Sequence, residues 1–379
     1  MKIERLKDFI QPANINFLIG SGLSYPYLST LGDIETLLVE LDKQKNSNVK
    51  SLVKGSIYKA YFEKVIYPNL ESEKKKKEVD YNKVIDCYCD FLDLWNQIIH
   101  NRGGSLLPKQ LNLYTTNIDT FVENSAERCK VELNDGFKGS VKPVFDEGNF
   151  HKSYTKNSVH LKMHGSINWT ENSNKQIIND SVLNQLNTIS NELGTIGDDF
   201  FIPLKSNIDE MMDEAERKIG GRRLRIDSSL RKFFDAYEKL IIVNPTKKKF
   251  SETVLDVHFY DLMRMYSNSL EKENTVLFVM GFSFADEHIL NITERATRTN
   301  PTLLVVIFAY TDAEEQKYKD KFPSNNNVII ITPSIFNVQN KKSIDDGVIE
   351  SVTNFDFEGI NKIFGYISKM IPVSFKYGK

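Results

Sequence analysis

Residues Ile15 to Ser24 read INFLIGSGLS, an apolar run that ends in a turn of glycine and serine. Short apolar runs closed by glycine read as buried strands of a parallel sheet, and a glycine loop at the carboxyl end of such a strand is where open α/β folds take a nucleotide. Two further stretches repeat the arrangement. TTNID at Thr115 to Asp119 follows the apolar run Leu111 to Tyr114, and HGS at His164 to Ser166 follows Val159 to Met163. Parallel pairing would gather a glycine loop, an amide with a carboxylate, and a histidine along one sheet edge.

Leu240 to Val243, Val276 to Met280 and Leu303 to Phe308 read as further strands, with Val328 to Ile331 as a seventh candidate. Helical periodicity falls between them, most clearly over Asp33 to Leu41, Ile118 to Arg128, Thr253 to Leu270 and Asp286 to Thr297. This βαβ alternation with right-handed crossovers predicts a Rossmann-like, doubly wound parallel α/β sheet of about six strands. Residues 42–110 and 170–239 are too long for simple crossovers and read as mainly helical insertions. The core is then 1–41, 111–169 and 240–335, with a C-terminal helical segment, 336–379, built around Phe355 to Ile371. Within the first insertion Val84, Tyr88, Phe91, Trp95 and Ile98 recur at helical spacing, so Tyr81 to His100 reads as an amphipathic helix; in the second, Ile208 to Lys218 is helix-compatible.

The chain has 379 residues, 26% of them charged, and a formal net charge of −2, so its overall charge favours neither nucleic acid nor an anionic membrane. The opening MKIERLKDFIQPAN has no continuous apolar stretch, and no later run is long enough to span a bilayer, which predicts a cytoplasmic protein without membrane contact. Three cysteines, Cys87, Cys89 and Cys129, cannot close an even set of disulfides and fit a reducing compartment. Cys87 and Cys89 stand two apart on a helix, on nearly opposite sides, so no metal site is expected. Basic clusters at Lys74 to Lys77, at Arg222, Arg223 and Arg225, and at Lys247 to Lys249 read as solvated loops, the arginines being a candidate partner contact.

Gly20 and Gly22 would let backbone amides approach an anion, with hydroxyls from Ser21 and Ser24 beside Leu23. A plain turn fits the same residues, and the third glycine of the dinucleotide fingerprint is missing. In Thr115, Thr116, Asn117, Ile118 and Asp119, either polar side chain can cap the helix that follows. Together, Asn117 and Asp119 can also orient a water and a carboxamide. His164 differs from His160, His258 and His288 in having Gly165 beside it, which would leave room for a ligand near a base that titrates close to neutrality. Gly281, Ser283 and Asp286 form either a second contact to phosphate or ribose, or a strand-to-helix turn capped by Asp286.

These stretches together resemble the sirtuin family, in its prokaryotic sirtuin-like branch without the metal-binding deacylase module. The family's GAG-x-S loop is matched by Gly20 to Ser24, its TQNID by Thr115 to Asp119, its HG by His164-Gly165 and its late G-x-S by Gly281 to Ser283. The resemblance implies that Asn117 holds a water near the anomeric carbon of NAD, that Asp119 contacts the nicotinamide carboxamide and that His164 acts on the ribose. Gly20, Ser21, Gly22, Leu23, Ser24, Thr115, Thr116, Gly281, Ser283 and Asp286 would hold the rest of NAD. Thr116 stands in place of the family's glutamine, YPYLSTL at Tyr25 to Leu31 in place of GIPDFR, and two CxxC pairs are lacking, all of which speak against peptide deacylation, the missing cysteines also against zinc.

The implied activity is an NAD+ glycohydrolase, with NAD as substrate, acting as an NAD-depleting effector of bacterial anti-phage defence. It would form a homo-oligomer and pair with a HerA-type ATPase, reaching nucleic acid only through that partner. A non-catalytic subunit that senses NAD or ADP-ribose is the alternative. Such a subunit would keep the glycine loop and the Gly281 turn without needing Asn117 and His164 together. A scaffold recruiting DNA through the basic clusters is a third reading.

Overall fold

The computed structural model describes residues 1–29, 34–45, 47–71, 78–102, 109–139, 143–150, 158–220, 226–243, 257–323 and 325–371. Its strands, in chain order, are β1 (Asn14–Ile19), β2 (Leu111–Thr115), β3 (Leu133–Asn134), β4 (Phe137–Lys138), β5 (Val144–Phe145), β6 (Ser158–Lys162), β7 (Trp169–Glu171), β8 (Ile177–Asn179), β9 (Thr275–Met280), β10 (Leu303–Phe308) and β11 (Val328–Ile331). Seven of them form one parallel sheet in the order β11-β10-β9-β1-β2-β6-β3. The other four make a small antiparallel sheet, β4-β5-β8-β7. The large sheet is the predicted Rossmann-like α/β arrangement.

Alternating side chains divide between two buried faces. Ile15, Phe17 and Ile19 pack with Leu113, Phe278 and Phe308 on one side, whereas Leu18, Tyr114, Val279 and Ile307 pack on the other. The first face is covered by the helix Val79–Asn101 and closed by Phe357–Met370. Phe17 meets Phe91 at 5.0 Å, Trp95 at 4.8 Å and Phe278 at 5.2 Å, so one strand residue ties helix and sheet together. Burying such a side chain contributes roughly 2–3 kcal/mol. The helices Val257–Leu270 and Glu287–Thr299 cover the second face. Asn16 sits wholly buried in mid-strand because its Oδ1 accepts from Asn112 Nδ2 at 2.8 Å on the neighbouring strand.

Helices Ile34–Asp42, Asn48–Tyr61, Asn184–Ile196, Ile208–Ile219 and Ile226–Tyr237 build a separate core, drawn from both long segments between the strands. Ile118 and Ile167 join this core. The helical module therefore rests on the loops that follow β2 and β6. The amphipathic helix predicted over Tyr81 to His100 is present but belongs to the sheet layer, because its apolar stripe matches the Phe17 face.

Leu240 to Val243, predicted as a strand, is not in the sheet. It makes an isolated antiparallel bridge between Ile242 and Gly165, in which Ser166 N–H donates to Ile241 O at 3.1 Å and Val243 N–H donates to His164 O at 2.9 Å. A four-residue apolar run reads alike as strand or buried connector, and here it clamps the turn after β6. Conversely β3 is too short to be read as a strand. The helices predicted to start at Asp33 and Thr253 begin at Ile34 and Val257 among the described residues, and all three basic clusters lie outside those residues. Among the described residues no helix is long and apolar enough to cross a membrane.

Candidate active site

Strand register brings the candidate residues level. Ile19 pairs with Thr115 and with Met280, and Thr115 pairs with Lys162, so the chain leaves β1, β2, β6 and β9 along one carboxyl edge. The chain runs from β1 outward to β2 on one side and returns to β9 on the other. Such a reversal is where doubly wound sheets open a crevice.

At this reversal Ser21–Ser24 forms one tight helical turn. Gly20 N–H donates to Met280 O at 3.0 Å, Gly22 N–H to Gly281 O at 3.0 Å and Leu23 N–H to Gly20 O at 3.1 Å. A Cβ on Gly20 would overlap the Gly281 carbonyl, and one on Gly22 would lie 2.9 Å from Gly281 Cα. The two glycines thus let the loops after β1 and β9 pack backbone to backbone. The amides of Gly20, Gly22 and Leu23 are thereby taken by neighbouring carbonyls.

After β2, Thr115 Oγ1 donates to Ile19 O at 2.9 Å and accepts Asn117 N–H at 2.9 Å, which fixes the bend of the loop. Asn117 is 7% exposed; its Nδ2 donates to Gly20 O at 3.2 Å and to Ser24 Oγ at 3.4 Å. Its Oδ1 has no partner in the protein. Asp119 Oδ2 accepts Ser24 O–H at 2.7 Å, and its Oδ1 accepts Phe121 N–H at 3.2 Å at the start of the helix Phe121–Cys129. Asp119 therefore caps a helix and also joins the cluster. Burial pushes its carboxyl above the ordinary range, against the opposing pull of the Lys162 ammonium. Tyr61, from the helical module, and Tyr88, from the helix Val79–Asn101, both lie within the field of Asp119.

Lys162 braces the same loop from below, donating through Nζ to Asp119 O and, at 2.9 Å, to Glu123 Oε1. Burial alone would raise Glu123, but Lys162 and His160 hold its carboxyl below the usual range. His160 Nδ1 stands 3.8 Å from the same Glu123 oxygen, and burial pushes this imidazole down to about 4.

His164 follows β6 and is buried. Its Nε2 lies 3.0 Å from Asp286 Oδ2, close but off the axis of a hydrogen bond. Asp286 Oδ1 meanwhile accepts His288 N–H at 2.9 Å and Ile289 N–H at 3.2 Å, capping the helix Glu287–Thr299. One carboxylate thus ends a helix and faces an imidazole. The turn that carries it is held by Tyr318 O–H on Phe282 O at 3.1 Å and by Lys321 Nζ on Phe284 O at 2.7 Å. Phe284 adopts φ +54, which costs a non-glycine residue about 1–3 kcal/mol and is fixed here by ring packing on Phe282 and Phe322. Gly165, with φ +74, admits the Ile241 carbonyl where a Cβ would stand. The space left by the missing side chain of Gly165 is taken by that strand-like connector.

Ser24, Asn117 and Asp119 form one hydrogen-bonded cluster and His164 with Asp286 a second, both at the same sheet edge. Ser21, Thr116, Gly281 and Ser283 are half-buried around them, and Gly22 is exposed. Tyr88, Lys162 and Glu123 were not legible as site residues: each reads as part of a helix stripe or a strand, and only tertiary packing turns it toward the loop. Cys87 is buried in the core, while the Cys89 thiol faces Ser125 O at 3.5 Å. Among the described residues no group of three His, Cys, Asp or Glu side chains is arranged to hold a metal. Neither a protein-family model nor a curated protein matches this sequence.

Proposed function

We propose that this chain is an NAD+ glycohydrolase that releases nicotinamide and ADP-ribose. The observation that carries the reading is the buried, unpartnered Oδ1 of Asn117, held at a strand end by bonds from its own Nδ2 to Gly20 O and Ser24 Oγ. A buried acceptor without a partner costs about 1–3 kcal/mol, and a ligand or water that donates to it recovers that cost. The sirtuin-like order of the glycine loop, TTNID and HG adds the substrate class.

Nicotinamide leaves with the electron pair of the C–N glycosidic bond, and positive charge develops at the anomeric carbon. Asn117 Oδ1 accepts a hydrogen bond from the attacking water. Asp119, held by Ser24 O–H and Phe121 N–H, contacts the nicotinamide carboxamide and orients the leaving group. His164, faced by Asp286, takes the proton released as the water oxygen bonds to carbon. Fixed groups in a dry site supply this stabilisation without reorganisation. Substrate entry then includes parting of the loops after β1 and β9, which are joined by Gly22 N–H on Gly281 O.

An enzyme able to empty a cell of NAD must be silent at rest. We therefore read the chain as a defence effector controlled by homo-oligomer assembly or by a HerA-type ATPase partner. The test is incubation with NAD, alone and with that partner, followed by measurement of both products. Tight binding without cleavage under every condition would favour the sensing reading instead.

A further inference from the structure

Tyr88 lies on the helix Val79–Asn101 and is 1% exposed. Its ring stacks over Phe121 at 6.2 Å with an interplanar angle of 9°, and meets the edge of Phe357 at 4.7 Å. These two contacts aim the hydroxyl at the Ser24 hydroxyl and the Asn117 carboxamide, but in neither case with hydrogen-bond alignment, so the hydroxyl is unpartnered. Buried tyrosines on the opposite sheet face behave differently: Tyr114 pairs with Ser269, and Tyr266 with Thr293 at 2.8 Å. The Tyr237 hydroxyl is also unpartnered, but its ionisable neighbours are other tyrosines. At Tyr88 an unused donor meets the side chain that carries an unused acceptor, Asn117 Oδ1.

We infer that Tyr88 is a further residue of the active site, and that its hydroxyl and Asn117 Oδ1 together hold the attacking water. The inference rests on the glycohydrolase reading and adds to it a residue from a helix outside the three strand-end stretches. A water accepting from Tyr88 O–H and donating to Asn117 Oδ1 meets both unmade bonds and keeps one lone pair for the anomeric carbon. As its oxygen bonds to carbon, the glycosidic pair leaves with nicotinamide and the released proton goes to His164. Unmade buried bonds also explain why the fold tolerates the pair, since sites are where such costs are kept.

The experiment compares full-length wild type, Y88F and the control Y266F for nicotinamide release from NAD and for thermal melting. Y88F keeps both ring contacts, so kcat should fall roughly tenfold or more with KM within about twofold, while the melting temperature stays level or rises. In water containing methanol, Y88F should also form more methyl ADP-riboside relative to ADP-ribose than wild type does. Y266F should melt lower and keep its kcat. Unchanged kcat in Y88F beside an active wild type overturns the role of Tyr88 alone, as does a lowered melting temperature, which would mean that the hydroxyl is bonded within the fold. No cleavage by wild type, alone or with its partner, overturns the reading on which the inference rests.

Discussion

Nε2 of His164 lies 3.0 Å from Oδ2 of Asp286, a contact that joins the turn after β6 to the turn after β9 across the ends of β1 and β2. Because Asp286 also caps the helix Glu287–Thr299, its two roles can be separated by substitution. Asparagine caps as well as aspartate does but carries no charge. Asp286→Asn should therefore melt near wild type and lose roughly tenfold to a hundredfold in kcat. Asp286→Ala should in addition lose about 1 kcal/mol of stability. Melting curves and nicotinamide release check both; full activity in Asp286→Asn would reduce the residue to a cap.

The close approach of Gly20 to Gly281 gives the glycine loop a structural reason for its composition. Gly20→Ala and Gly165→Ala should each destabilise the fold by about 1–3 kcal/mol, since the added methyl meets backbone rather than a movable side chain. Ser21→Ala, at a half-buried position, should change stability by less than about 0.5 kcal/mol. Urea midpoints measure all three. Unaltered stability in Gly20→Ala would show that the two loops part freely.

Acid should weaken the fold through His160. Its imidazole is held neutral down to about 4 when folded, whereas an unfolded histidine takes a proton near 6.5. Between those values the unfolded chain binds more protons, so stability falls as pH is lowered, by up to about 1.4 kcal/mol per pH unit. Glu123, with a lowered carboxyl, acts in the same direction at lower pH, and Asp119, with a raised one, in the opposite direction as pH rises through its folded value. His160→Gln should shrink the loss of stability between pH 6.5 and pH 4.5, as read from urea titrations at the two values. An identical loss in the variant would assign the acid sensitivity to other groups.

The parallel sheet was legible because Phe17, Val279 and Ile307 sit in short, closed apolar runs, whose period and boundaries are local properties of the chain. Leu240 to Val243 misled because burial without sheet pairing leaves the same apolar trace, and Leu133–Asn134 escaped because two residues carry no period. The strand-end positions of Asn117 and His164 followed from counting along the sequence. Their surroundings did not. Whether Gly165 faces a ligand or the Ile241 carbonyl depends on a segment far away in the chain, and so does the meeting of Asp286 with His164. Tyr88 was visible as one position of an apolar stripe, and nothing in a stripe tells where a hydroxyl points.

The most direct measurement is chromatographic quantification of nicotinamide and ADP-ribose after NAD is incubated with the wild-type chain, Asn117→Ala and His164→Ala, with and without the ATPase partner. The account predicts equimolar release of the two products by wild type and a loss of roughly a hundredfold or more in each variant, with both variants still folded. Undiminished release by Asn117→Ala and His164→Ala, or NAD bound by wild type and never cleaved, would contradict it.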